Sequence, residues 1–107
     1  MSSCLVVHCN FPNLALAEEV ASALVSEGLA ACVTLQEGAL SVYRWQENLC
    51  KEREVAALIK TSDARYADVE AKILSMHSYS CPEIIAVPIE RAHKPYLDWI
   101  AQETQET

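Results

Sequence analysis

The sequence predicts one α+β domain over residues 1–107, with elements in the order strand, helix, strand, strand, helix, strand and a further helix. Three observations lead to this class. Apolar residues make up 51% of the chain, which is enough for a packed core, and only two glycines and four prolines interrupt it. Short apolar runs alternate with stretches of helical periodicity. No apolar run approaches the roughly 20 residues of a membrane span.

The first strand and the first helix lie within the first 28 residues. The apolar run Cys4–Cys9 is typical of a buried strand. Asn13 is suited to cap a helix in which apolar residues recur every four positions from Leu16 to Leu24. Gly28 is a natural end for that helix.

Two further strands are predicted in the middle of the chain. Apolar runs at 31–35 and 40–45 lie on either side of Gly38, which indicates a bulge or kink in one long strand. The polar stretch 46–54 predicts a turn, and residues 55–61 return as the next strand.

The last strand follows the second helix. Ser62 or Asp63 is suited to cap that helix, which has an apolar face from Tyr66 to Met76. A polar turn leads into a strand over Glu83–Glu90, and Pro88 places this strand at an edge because proline cannot donate to the ladder.

The element order indicates how the sheet is covered. Right-handed crossovers place both long helices on one face of an antiparallel sheet, which is the ferredoxin-like βαββαβ sandwich. Pro95 then opens an extra C-terminal helix that contains Trp99.

The opposite face of the sheet carries apolar side chains without a predicted cover. In the last strand Ile85 and Val87 lie opposite Ile84 and Ala86, so both faces are apolar. An exposed patch of this kind exceeds the few hundred Å² that a monomer tolerates. Self-association is therefore predicted; the alternative is a monomer whose last helix folds back over the sheet. The aromatic side chains expected at subunit contacts are Tyr43, Trp45 and Trp99.

Charge and cysteine usage exclude several classes. The net charge of −7, without a basic cluster, argues against nucleic acid and anionic membranes as partners. The N-terminus lacks the features of a signal peptide, so we expect a cytoplasmic protein. Five irregularly spaced cysteines favour reduced thiols over a disulfide framework. The sequence has no nucleophile elbow, phosphate-binding glycine loop or HExxH motif, which favours a binding protein over an enzyme.

Five sequence motifs together resemble one known family. They are LAACVTL at 29–35, SVYRWQ at 41–46, ALIKT at 57–61, MHSYSCPEIIAVPIE at 76–90 and PYLDWI at 95–100. In this order and spacing they resemble the CutA family of divalent-cation tolerance proteins, over nearly the whole chain. The resemblance implies a ferredoxin-like homotrimer in which sheets pack around a three-fold axis. Two positions depart from the family pattern, Ser78 in the turn and Arg44 in the second strand.

The resemblance also implies a metal site. The family is linked to tolerance of copper and other divalent metals, and some members bind copper(II). Cys9 and Cys32 match cysteines implicated in metal binding in a bacterial relative, whereas Lys72 occupies the place of a third. A soft metal needs such thiolates to converge on one point. The alternative is that both thiols are buried packing groups.

A second candidate site is a cleft between subunits near the turn 77–83. Lys60, His77, Tyr79 and Glu83 could line it and take a small anionic ligand. The family's shape is similar to that of the trimeric PII signalling proteins, which is an analogy of fold. Two alternatives remain: His77 caps helix carbonyls while Tyr79 packs at the interface, or the trimer is a structural scaffold.

Overall fold

A computed structural model describes residues 3–105. The strands are β1 (Cys4–Phe11), β2 (Cys32–Trp45), β3 (Asn48–Ser62) and β4 (Ile85–Pro88), and the helices are α1 (Leu14–Ser26), α2 (Tyr66–Met76) and α3 (Lys94–Glu103). The strands form one sheet in the order β2-β3-β1-β4, and all neighbours are antiparallel. This is the predicted ferredoxin-like arrangement with an added C-terminal helix. None of the helices within residues 3–105 is long and apolar enough to cross a bilayer.

The main core lies between one face of the sheet and helices α1 and α2. Alternate residues of β1, such as Val7 and Phe11, pack there against Val20 of α1 and Ile73 of α2. These side chains are fully buried, which is the expected result of period-2 and period-3.6 apolar patterns facing each other.

Helix α1 begins and ends where the sequence predicts. The Asn13 side chain accepts a hydrogen bond of 2.8 Å from the Leu16 N–H, which satisfies one of the free donors of the first turn. Gly28 follows the helix with a φ of 73°, a left-handed conformation that glycine adopts without steric cost.

The β2–β3 hairpin is longer than predicted. Strand β2 continues through Gly38 (φ 83°), with the predicted bulge between Gln36 and Ala39. The stretch 46–54 is not a turn, however: only Gln46 and Glu47 turn the chain, both with positive φ, and pairing resumes with Trp45 opposite Asn48. The part of the hairpin beyond the bulge, residues 39–54, is here called the hairpin arm. Its polar residues belong to strands exposed to solvent, a pattern that local sequence does not distinguish from a loop.

The starts of α2 and β4 also differ from the prediction. A 3-10 turn at Asp63–Arg65 precedes α2, and neither Ser62 nor Asp63 makes a side-chain capping bond to it among the described contacts. Instead the Thr104 hydroxyl donates to the Ser62 hydroxyl at 3.0 Å, which fastens the end of α3 to β3. Strand β4 is four residues long, and its edge position is as predicted.

The second face of the sheet, here called the open face, is only partly covered. Helix α3 covers one end, where Ile100 packs with Cys4 and Ala31. Beyond that end the β4 side chains Ile85 and Val87 are 54% and 50% exposed. The terminal helix thus leaves apolar surface of the sheet in water, as the sequence predicted.

Candidate functional site

A cavity of about 640 Å³ lies where the β2–β3 hairpin arm, the end of β1 and the turn after α2 meet. The hairpin contributes one wall and the turn 78–83 the other. The side chains that matter for its chemistry are two carboxylates, three aromatic rings, an amide and a thiol: Glu54, Glu83, Tyr43, Trp45, Tyr79, Asn10 and Cys81.

His77 holds the turn against the sheet from behind the cavity. Its Nδ1 accepts the backbone N–H of Tyr79 at 3.1 Å, so its Nε2 carries the proton and donates to the Asn10 carbonyl at 2.7 Å. The ring stacks on Phe11 with centroids 4.6 Å apart and planes 13° apart. Both nitrogens are engaged in structural hydrogen bonds, so His77 positions the turn through which Tyr79 enters the cavity.

Glu54 is the most buried charged group of the cavity. Its side chain lies on β3 and is only 8% exposed, and its carboxylate accepts a 2.7 Å hydrogen bond from the Tyr79 hydroxyl. Within residues 3–105 neither Glu54 nor Glu83 forms an ion pair. The cavity therefore carries two carboxylates that form no ion pair with a described cation.

The pKa values of two cavity tyrosines are raised, mainly by burial and in part by the nearby carboxylates. Burial raises the pKa of Tyr79 above its usual value, and the hydrogen bond to Glu54 and the charge of that carboxylate add to the effect. The pKa of Tyr43 is also raised, first by desolvation and then by Cys50, Glu52 and Glu54. Both tyrosines are thus held neutral, as hydrogen-bond donors.

The structure brings together only part of the predicted cleft. Tyr79 and Glu83 line the cavity, and His77 supports it. Lys60 lies elsewhere on the open face, opposite Cys32, where its Nζ donates to the Thr34 hydroxyl at 2.7 Å. Within one chain Lys60 is therefore not one of the residues that line this cavity.

The aromatic residues predicted at subunit contacts fall into two groups. Tyr43 and Trp45 lie on the hairpin arm and form part of the cavity wall, and both are nearly half exposed. Trp99 lies on α3 beside Tyr96, with ring centroids 5.6 Å apart. All three side chains present apolar surface to solvent in a single chain.

Cys9 and Cys32 do not form one site within the chain. Cys9 pairs with Ala57 on the helix-covered face, whereas Cys32 pairs with Lys60, whose parity along β3 is the opposite. Cys9 is completely buried, and burial, followed by the charge of Glu83, raises the pKa of its thiol to about 12. A protonated core thiol is a poor metal ligand. Among residues 3–105 no three His, Cys, Asp or Glu side chains are grouped to hold a metal ion.

Sequence reasoning missed Glu54 and Asn10. Glu54 lies in the polar stretch 46–54, whose composition predicts a turn, and Asn10 lies one residue beyond the predicted first strand. The signal lies in the register of the hairpin: once β3 begins at Asn48, the parity of Glu54 places its side chain on the face opposite the core residue Val55.

An α+β sandwich with one open apolar face and an acidic, aromatic cavity beside it has the features of a small binding domain. The chain belongs to the CutA1 family, since the family model described as "CutA1 divalent ion tolerance protein" matches residues 5–103. This confirms the resemblance noted in the motifs. The family is described by tolerance of divalent ions, and that description names no catalytic activity.

The relatives found by sequence and those found by structure are both CutA proteins. The divalent-cation tolerance protein CutA of Thermus thermophilus is 37% identical over 99 residues, which are 92% of this chain and 96% of that protein. The crystal structure of CutA1 from Oryza sativa superposes with a TM-score of 0.94 at 32% identity, covering 98% of this chain and 96% of the other. CutA from Xylella fastidiosa gives 0.93 at 36% identity, covering 95% and 98%.

Proposed function

We propose that this chain is a noncatalytic, homotrimeric binding protein that acts in the response to divalent cations, and that the cavity beside Glu54 is its ligand site. The observation that carries the proposal is the pair of cavity carboxylates, Glu54 and Glu83, which have no ion-pair partner among the described residues. Such a site favours a cation.

Self-association rests on the open face. Ile85 and Val87 are half exposed side by side on the edge strand, and the exposed ring of Trp99 extends the apolar surface over α3. Burying such surface against copies of the chain is favourable by about 25 cal/mol per Å². The number three follows from the resemblance to CutA proteins.

Copper(II) or another divalent cation is the ligand that the family description suggests. Cys9 is buried in the core and separated from Cys32 by the sheet, so this pair does not fit a copper site within one chain. The cavity instead offers the negative charge of the Glu54 and Glu83 carboxylates. Among residues 3–105 no three ligand side chains converge on one point, so these carboxylates suit weak binding of a hydrated divalent ion rather than direct coordination by several side chains.

Calorimetric titration with copper(II) and zinc(II) tests this assignment. We expect the double variant Glu54→Gln/Glu83→Gln to lose binding, and the matched double variant Cys9→Ser/Cys32→Ser to retain it. Light scattering at micromolar concentration checks the assembly and is expected to give three times the chain mass. Metal binding that survives the glutamine variants and disappears in the serine variants would show that the cavity is not the site.

The same wall of carboxylates disfavours a small anion, which the analogy with PII proteins suggested for a signalling role. Lys60, the cation expected to hold that anion, lies away from the cavity in the chain. We also propose a cytoplasmic location, supported by five cysteines that are all free.

A further inference from the structure

We propose that the cavity beside Glu54 accepts an organic ammonium ion, a positively charged nitrogen carrying carbon groups. This rests on the proposed function, because it takes the cavity as the ligand site and names the chemical class of its ligand. Three features of the cavity lead to this class: its charge, its aromatic walls and its size.

The charge is negative and buried. Glu54 is more than nine-tenths buried, and the Tyr79 hydroxyl is its hydrogen-bond partner among residues 3–105. One neutral donor compensates little of the cost of removing a carboxylate from water. Glu83 adds a second negative group to the lining of the same cavity. A cation bound between them removes an unfavourable charge imbalance that the protein alone leaves in place.

The walls are aromatic. Tyr43 and Trp45 extend from the hairpin arm, and Tyr79 extends from the opposite turn. The face of an aromatic ring attracts cations, and the attraction is strongest for Trp and where water is excluded. Carbon groups on the nitrogen also bury apolar surface against these rings, which a hydrated metal ion cannot do.

The size suits a small organic molecule. A volume of about 640 Å³ lies within the usual range of small-molecule pockets. A metal ion, in contrast, needs ligands within about 2.0–2.6 Å of one point. No group of three His, Cys, Asp or Glu side chains in residues 3–105 provides this. The cavity therefore suits an organic cation, which needs no converging ligands, better than a metal ion stripped of its water.

The side chains of Tyr79 and Glu54 are held in place before a ligand binds. His77 accepts the Tyr79 N–H and stacks on Phe11, so the turn that carries Tyr79 is fixed to the sheet. Tyr79 in turn fixes the Glu54 carboxylate at 2.7 Å. A site ordered in this way loses little conformational entropy on binding.

Tryptophan fluorescence tests the inference with two probes, tetramethylammonium chloride and putrescine. In a Trp99→Phe background the only tryptophan is Trp45, which lies in the cavity wall. We expect a saturable change in emission with both probes. Sodium chloride at equal ionic strength and glutarate, a dianion of similar length to putrescine, are expected to give none.

Two variants distinguish binding in the cavity from a nonspecific effect of the protein's negative charge. Glu54→Gln removes the buried carboxylate and is expected to weaken binding at least about tenfold, as loss of a charge-assisted contact should. Glu18→Gln makes the same charge change on the exposed face of α1 and is expected to have no effect. Circular dichroism verifies that each variant is folded; should Glu54→Gln unfold, Glu83→Gln replaces it, with a weakening of the same direction.

The outcomes separate this inference from the proposed function. Copper(II) binding that depends on Glu54 and Glu83, with no response to either amine, would overturn the inference and leave the proposed function standing. A well-formed trimer that binds neither amine nor metal would overturn both and indicate that a neighbouring subunit fills the cavity. An amine response that is unchanged in Glu54→Gln and Glu83→Gln would also overturn the inference.

Discussion

His77 offers the sharpest test of how the turn after α2 is held. The ring makes two hydrogen bonds, to the Asn10 carbonyl at 2.7 Å and from the Tyr79 N–H at 3.1 Å, and it stacks on Phe11. His77→Phe keeps a ring of similar shape and removes both hydrogen bonds. His77→Ala removes the stacking as well.

The expected magnitudes follow from these contacts. Each hydrogen bond contributes about 1 kcal/mol, and the partners are only half-buried, so His77→Phe is expected to lower the free energy of unfolding by about 2 kcal/mol. Loss of the aromatic pair with Phe11 adds about 1 kcal/mol, which gives about 3 kcal/mol for His77→Ala.

Urea unfolding followed by circular dichroism measures both variants. Protein concentration must be the same throughout, because an oligomer gains apparent stability with concentration. If His77→Ala unfolds within about 0.5 kcal/mol of the wild type, the contacts of the ring do not stabilise the fold. If the two variants are equal, the stacking on Phe11 contributes nothing measurable.

Three further predictions concern the core, the thiols and the pH dependence. Ile73→Ala on the buried side of α2 is expected to cost about 2–5 kcal/mol in urea unfolding, whereas Leu74→Ala on its exposed side should cost under about 1 kcal/mol; equal losses would contradict the assigned core face. A thiol reagent at pH 8 should modify the exposed Cys81 at once and Cys9 only after unfolding. The reason is that burial raises the pKa of Cys9 to about 12 and leaves little reactive thiolate. Mass spectrometry of samples taken at successive times measures the order in which the two cysteines are modified. The pKa of Tyr79 is higher in the folded chain than its unfolded value of 10.0, so its contribution to stability is present below pH 10 and decreases above it. Tyr79→Phe should therefore flatten the loss of unfolding free energy above pH 10. Parallel plots of unfolding free energy against pH for the variant and the wild type would show that Tyr79 does not titrate this way.

Much of the architecture was predictable because the signals are local. Asn13 caps α1 and Gly28 follows its end, as their chemistry indicates, and Gly38 marks a bulge in a continuous strand. The length of the hairpin arm was not predictable in the same way. Its turn uses Gln46 and Glu47, two non-glycine residues with positive φ, where the usual hairpin signal would be Asn-Gly or Asp-Gly.

The candidate site was predictable only in part. The polar turn before an apolar strand predicts Tyr79 and Glu83 as site residues, and both line the cavity. Lys60 is predicted beside them in a cleft between subunits, and in the single chain its Nζ donates to the Thr34 hydroxyl outside the cavity lining. Glu54 was missed because its face depends on where β3 begins.

The sequence by itself determined the order of strands and helices, the core positions and the apolar character of both sheet faces. These properties follow from periodicity, caps and breakers, which act over a few residues. Only the tertiary structure decided which side chains meet across strands. The separation of Cys9 from Cys32 and the contact of Tyr79 with Glu54 depend on strand register and side-chain parity. A register shift of one residue would move the side chains of the shifted strand to the other face of the sheet.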